Sequence, residues 1–166
     1  FLITIFMNVW AFPYMNLLPV FARDIFEQGP EGMGWLGAAN GVGAFIGLGV
    51  IHLGRRKLSN EWLFISGSLV SSIGVVFFAL SGTYGLSLLM LFCSGLGQAG
   101  FGIMQSSIIL VESSDEMRSR AMSGLVVAIG LGPFGRLQSG AMAEVWGPRI
   151  AVGVMAVMAV VGTLLA

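Results

Sequence analysis

One arginine, Arg136, stands inside a long apolar stretch, and its helical neighbours Gly132, Ser139 and Gly140 are all small. A guanidinium at that depth is poorly solvated by lipid, and placing it near a bilayer centre costs at least ~2.5–3.5 kcal/mol. Its chemistry is therefore that of an anion receptor, of one half of an ion pair, or of a head group that snorkels on its flexible stem. A rise of ~1.5 Å per residue sets it ~12 Å from the outer end of its helix, a long reach for a complete snorkel.

Neutral polar side chains form two further patterns. Ser87, Ser94, Gln98 and Gln105 are spaced seven, four and seven residues apart, which keeps them on one helical face that should not look at lipid. Thr4, Asn8 and Asn16 make a looser stripe around Pro13, a residue that kinks a helix. Asn8, Asn16, Ser94, Gln98, Gln105 and Arg136 are the candidate substrate-binding residues. Hydrogen bonding between neighbouring helices is the simpler role for such groups, at about 0.6 kcal/mol each.

Other chemistry is thin. Gly95-Leu96-Gly97-Gln98-Ala99-Gly100 fits the GxGxxG pattern but follows no strand, so it is no nucleotide loop. Cys93 has no His or Asp companion and reads as a packing thiol; as the sole cysteine it excludes an internal disulfide. His52 falls at a helix end, as an interfacial histidine does. No Asp or Glu sits at membrane depth to carry protons. Nothing points to a catalytic cluster, a metal site or a cofactor, and the chain is not expected to be an enzyme.

The elements that must hold these residues are apolar helices. Of 166 residues, 56% are apolar and 10% charged, with a mean hydropathy of +0.90; soluble domains carry far more charge. Six apolar runs, each near the ~20 residues that cross a bilayer as a helix, are expected at Phe1 to Ala22, Gly34 to Leu53, Glu61 to Leu80, Gly85 to Val111, Ala121 to Ala143 and Ile150 to Ala166. Lacking period-2 alternation, they predict helices rather than barrel strands. The fold class is all-α, a polytopic membrane helix bundle. The first run has neither a basic leader nor a small-residue cleavage site, so it reads as a span and not as a signal peptide. The last run, whose one polar side chain is Thr163 near its end, is expected to face lipid.

Charge orients the bundle. Arg55, Arg56 and Lys57 occupy the second loop and Arg118 and Arg120 the fourth, five basic residues against Arg23 and Arg149 in the other loops. The positive-inside rule then puts the second and fourth loops, and both chain ends, in the cytoplasm. A net charge of zero leaves no footprint for nucleic acid. Glycines at packing distance, Gly37 to Gly41, Gly43 to Gly47, and Gly95, Gly97, Gly100 and Gly102, predict closely apposed helices.

The fourth loop, Ser114-Asp115-Glu116-Met117-Arg118-Ser119-Arg120-Ala121-Met122-Ser123, resembles the D-E-x-R-G-R-V-M-S loop of major facilitator superfamily transporters, with Ser119 for Gly and Ala121 for Val. Gly132-Pro133-Phe134-Gly135-Arg136-Leu137-Gln138-Ser139-Gly140-Ala141-Met142-Ala143-Glu144 is similar to that superfamily's G-P-L-G-x-L-x-x-G-A-x-A-E segment, and Leu18-Pro19-Val20-Phe21-Ala22 also resembles it. The second loop keeps only a remnant, Gly54-Arg55-Arg56-Lys57, of the family's G-x-x-x-D-R-x-G-R-R signature and lacks its acid.

The resemblance implies half of a twelve-helix fold, its last six helices, from the branch that includes siderophore and drug exporters. It implies one domain over residues 1–166 built of two inverted three-helix repeats, about 1–80 and 85–166. A weak echo of that repeat is the match of Gly37, Gly47, Gly54 and Arg56 with Gly130, Gly140, Gly147 and Arg149 at an offset of 93 residues. In the resembled family the first and fourth helices of each half line the cavity and the third and sixth lie outermost. The expected function is a secondary active exporter of small organic molecules by alternating access, multi-pass in the inner (plasma) membrane. Its partners are a small-molecule substrate, the bilayer, and either the other six-helix half or a second copy. Glu112, Asp115 and Glu116 beside Arg118 and Arg120 read either as a cytoplasmic gating latch between helix ends or as a solvated loop that obeys the positive-inside rule. The alternative is a non-transporting assembly or sensor protein with the same bundle.

Overall fold

The computed structural model describes residues 1–166, which fold into helices with no strand. The first element, α1 (Leu2–Ile25), changes pitch along its length. It opens as an α-helix, widens to a π turn over Met7–Ala11 and tightens to 3₁₀ over Phe12–Leu17. Pro13 is the cause: it has no N–H for a carbonyl one turn earlier, and its ring crowds that carbonyl. Pro19 repeats the disturbance ahead of a second π turn at Phe21–Ile25.

Helices α2 (Pro30–Gly54), α3 (Asn60–Leu80) and α4 (Tyr84–Glu112) are regular. Pro30 suits a first helical turn, where its missing N–H has no partner to lose, and the Ser59 hydroxyl caps α3 by accepting from the Trp62 N–H at 3.3 Å. After a short loop come α5 (Asp115–Gly130) and α6 (Gly132–Trp146), then α7 (Pro148–Leu165). Gly147, at φ +82°, makes the joint between α6 and α7, a conformation that favours glycine.

Five helices, α1 to α4 and α7, are long and apolar enough to cross a membrane. The span expected at Ala121 to Ala143 is instead divided between α5 and α6, of 16 and 15 residues. Pro133 again explains the break: it cannot donate to Ile129, and Gly130 and Gly132 beside it are poor helix formers. The Phe134 N–H turns back to the Leu131 carbonyl at 3.0 Å and starts the new helix.

Helix α4 is the spine, with α2 on one side and α3 on the other; α7 packs on α3, and α1 lies against α6 and α7. Glycine sets the closeness of these contacts. A Cβ on Gly74 would stand 2.8 Å from the Ser94 nitrogen, and one on Gly47 would stand 2.6 Å from the Leu96 carbonyl oxygen. Gly43, Gly95, Gly97 and Gly100 are likewise closed by facing backbone. By contrast Gly37, Gly41 and Gly102, expected to pack in the same way, meet nothing within 4 Å.

Aromatic clusters fill the space between α1, α3 and α4. Phe21 lies 4.6 Å from Phe78 in one, and Phe64 stacks on Phe101 at 5.5 Å in the other. The outside is apolar as well: Trp35, Phe45, Val127, Phe134, Leu137 and Leu165 are all exposed. A surface of that kind suits lipid and not water. The last helix, expected to face lipid, is covered on one side by way of Ala151, Met155 and Ala159. Helix α2 is the less covered of the two, 28% against 39% buried.

Candidate functional site

The pitch changes of α1 build a polar recess. Val9 and Asn8 are the residues whose carbonyls an α or π helix would pair with the nitrogen at position 13, and Pro13 has no hydrogen to offer. Those two carbonyl oxygens face Gly135 of α6, lying 2.6 and 2.9 Å from where a Cβ would stand. A bare backbone at Gly135 therefore lets α6 press on the kink, and the next residue is Arg136.

Asn8, Phe12, Pro13, Met15, Asn16, Gly132 and Arg136 together line a cavity of ≈100 Å³. Three side chains placed 128 residues apart along the chain, from Asn8 to Arg136, thus share one recess. The Asn8 amide donates to the Thr4 carbonyl at 2.9 Å. Asn16 and Arg136 are exposed, and neither side chain makes a hydrogen bond or ion pair within this chain. No carboxylate lines the recess.

One turn toward the chain start lies a larger cleft of ≈290 Å³, lined by Phe1, Thr4, Phe64, Gln105, Glu112 and Ser113 among others. The Gln105 Oε1 atom is buried there without a hydrogen-bond partner. An unpaired buried carbonyl is costly, on the order of 1–3 kcal/mol.

The rest of the α4 stripe is placed otherwise. Ser87 and Ser94 are buried against α3, where the Ser94 hydroxyl bonds that of Ser71 at 3.3 Å and Ser87 bonds Ser81. Ser94 joins helices and does not open on either recess. Gln98 is half-buried and makes no side-chain bond. The shared face is real, but α3 covers it through Ser94, and open space begins only toward the C-terminal end of α4.

Two residues outside the sequence patterns form a buried polar contact that joins three helices. Asn40 of α2 donates to the Tyr14 hydroxyl at 3.1 Å and to the Leu91 carbonyl at 3.2 Å, tying α1, α2 and α4 together. The signal was in the buried face of α2, where Gly32, Leu36, Asn40, Gly43, Gly47 and Ile51 recur every three or four residues. A lone Asn on such a stripe needs internal partners.

The sequence profile of the family described as Major Facilitator Superfamily matches residues 1–166. The chain belongs to the Major Facilitator Superfamily. A search of curated proteins returned no match. Members of this superfamily are membrane transporters and not enzymes, so the apolar helices are those of a multi-pass membrane protein.

The loop that carries the superfamily resemblance opens α5. Asp115 and Glu116 occupy its first turn, where the helix dipole favours acids, and Asp115 pairs with Arg118 at 2.9 Å. This pair lies within one helix. Glu112, Glu116 and Arg120 form no ion pair, so no latch joins two helix ends in this structure. The basic residues Arg55, Arg56 and Lys57 lie at the same end of the bundle, because α2 and α4 run in one direction and α3, which follows α2 in the chain, runs back along α4. At the opposite end the Arg149 guanidinium donates to the Ser81 carbonyl at 2.8 Å and fastens α7 to α3.

Proposed function

We propose that this superfamily member is one six-helix half of a secondary active exporter of small organic molecules, working by alternating access in the inner (plasma) membrane with both chain ends cytoplasmic. In this reading α5 and α6 cross together as one broken span, the two halves of the chain are inverted repeats, and a second six-helix half or a second copy closes the cavity. Substrate lies along α1, between Gln105 in the larger cleft and Asn8, Asn16 and Arg136 in the smaller one. The observation that supports it best is the recess at the Pro13 kink, where Arg136 meets two carboxamides at a break in helical pitch. Discontinuous helices near the midplane are where secondary transporters hold substrate. Asp115 and Arg118 order the cytoplasmic start of α5, and the acids and bases around them engage across helix ends only in another state of the cycle.

The test is export from the complete reading frame in a hypersusceptible host, scored on a panel of dyes and siderophores. Arg136→Gln is expected to lower export by about tenfold or more, the effect of losing one charged hydrogen bond, while membrane abundance stays level. Unchanged export of every substrate in the panel would remove the recess from the pathway.

A further inference from the structure

We propose that the Pro13 recess receives a compact anionic group, a carboxylate or sulfonate on the transported molecule, so that the substrate is an organic anion. This rests on the transporter reading above and gives that site its chemistry.

The donor inventory carries the argument. Arg136 presents five N–H groups in a planar fork, none of them engaged within this chain. The uncommitted Asn16 amide adds two donors, and the Asn8 amide, which spends one hydrogen on Thr4, adds one more. Gly132, the first residue of the 15-residue helix α6, lines the same recess, so the positive end of that helix reinforces the guanidinium. Against these donors there is no carboxylate. The acid nearest to Arg136 on its own helix is Glu144, eight residues and ~12 Å along.

Size narrows the ligand. Small-molecule sites commonly enclose ~300–1,000 Å³, and a recess of ≈100 Å³ admits a head group and not a whole substrate. The Asn8 and Val9 carbonyl oxygens are turned toward the Gly135 backbone, and the one charge the recess offers is that of Arg136. The apolar body of the molecule has a place nearby, in the larger cleft where Phe1, Phe64, Ile108 and Ile109 surround Gln105.

A thiol reporter tests the charge without knowledge of the substrate. Met15 lines the recess and is exposed, so Met15→Cys is made in the full protein with Cys93→Ser and any other cysteine replaced. The rates of modification by a negatively charged methanethiosulfonate sulfonate and by its trimethylammonium counterpart are then compared. Removing the cation with Arg136→Gln is expected to lower the anionic-to-cationic rate ratio by up to about thirtyfold, because one nearby unit charge in water changes each rate by about fivefold in opposite directions. Benzoate should slow modification of the Arg136 protein while benzamide does not, and Arg136→Lys should keep the rate ratio but lose much of the benzoate protection, because a lysine lacks the fork. An unchanged rate ratio, or equal effects of benzoate and benzamide, would mean that an acid of the other half already neutralises Arg136, and the proposal would fall. Labelling needs no transport. Benzoate protection with undiminished export by Arg136→Gln would keep the anion site and remove the recess from the export pathway; lost export without protection would keep the recess in the pathway and sink the anion site.

Discussion

The bundle contains two kinds of helix contact. Between α2, α3 and α4, glycine brings backbone against backbone, as where Gly95 faces Asn40 and Ala44 and Gly74 faces Ser94. Between α1 and α6 the approach depends on one such glycine, Gly135, and the space around it holds Asn8, Asn16 and Arg136. The first region spends its small residues on closeness and has its polar groups paired, Ser71 with Ser94 and Asn40 with Tyr14. The second interrupts its helices with Pro13 and Pro133 and leaves polar groups free. In a membrane, where lipid supplies no hydrophobic drive between helices, the difference separates scaffold from candidate site.

That contrast can be broken first at the scaffold. Gly95→Val pushes a branched side chain into the backbone of α2 and is expected to cost about 3 kcal/mol or more, beyond ordinary overpacking because backbone cannot yield. Thermal unfolding of the purified protein in detergent reads the loss, and the matched Gly37→Ala, in open space, should leave Tm level or slightly raised. Equal behaviour of the two variants would end the distinction between packed and unpacked glycines.

A smaller effect is expected at Asn40→Leu, which removes two buried hydrogen bonds and leaves the Tyr14 hydroxyl and Leu91 carbonyl to find other partners. About 1 kcal/mol of stability should go, and hydrogen exchange should quicken in α1 near Tyr14 sooner than in α3. The smallest change belongs to Asp115→Asn. Its partner Arg118 is a near neighbour on one exposed turn, and such pairs contribute under about 0.5 kcal/mol. A large fall in stability there would show that the loop motif holds more than its own helix.

Much of this arrangement can be read from residue order. Apolar run length marks α2, α3 and α4 to within about four residues at each end, because lipid tolerates few alternatives to a continuous helix. The break inside the run at Ala121 to Ala143 escapes a hydropathy average, since Gly130, Gly132 and Pro133 are no more polar than their neighbours. What marks it is the missing N–H of Pro133. Asn8, Asn16 and Arg136 line one recess, whereas Ser94 shows the limit of helical spacing: it fixes which way a side chain points, and only the neighbouring helix decides whether that direction is open. Asn40 hides among glycines, and its partner Tyr14 lies 26 residues away on another helix.

The order of contacts along the chain carries a lesson for biogenesis. Helices α2, α3 and α4 are consecutive, so their glycine contacts become available as soon as residue 112 has left the ribosome and entered the bilayer. Helix α1 is made earlier and packs on them as well, but it also contacts α6 and α7, whose residues follow more than a hundred positions later. The scaffold can therefore form before α6 is made, with α1 already held to it through Tyr14 and Phe21, while the polar recess waits for Gly132 and Arg136.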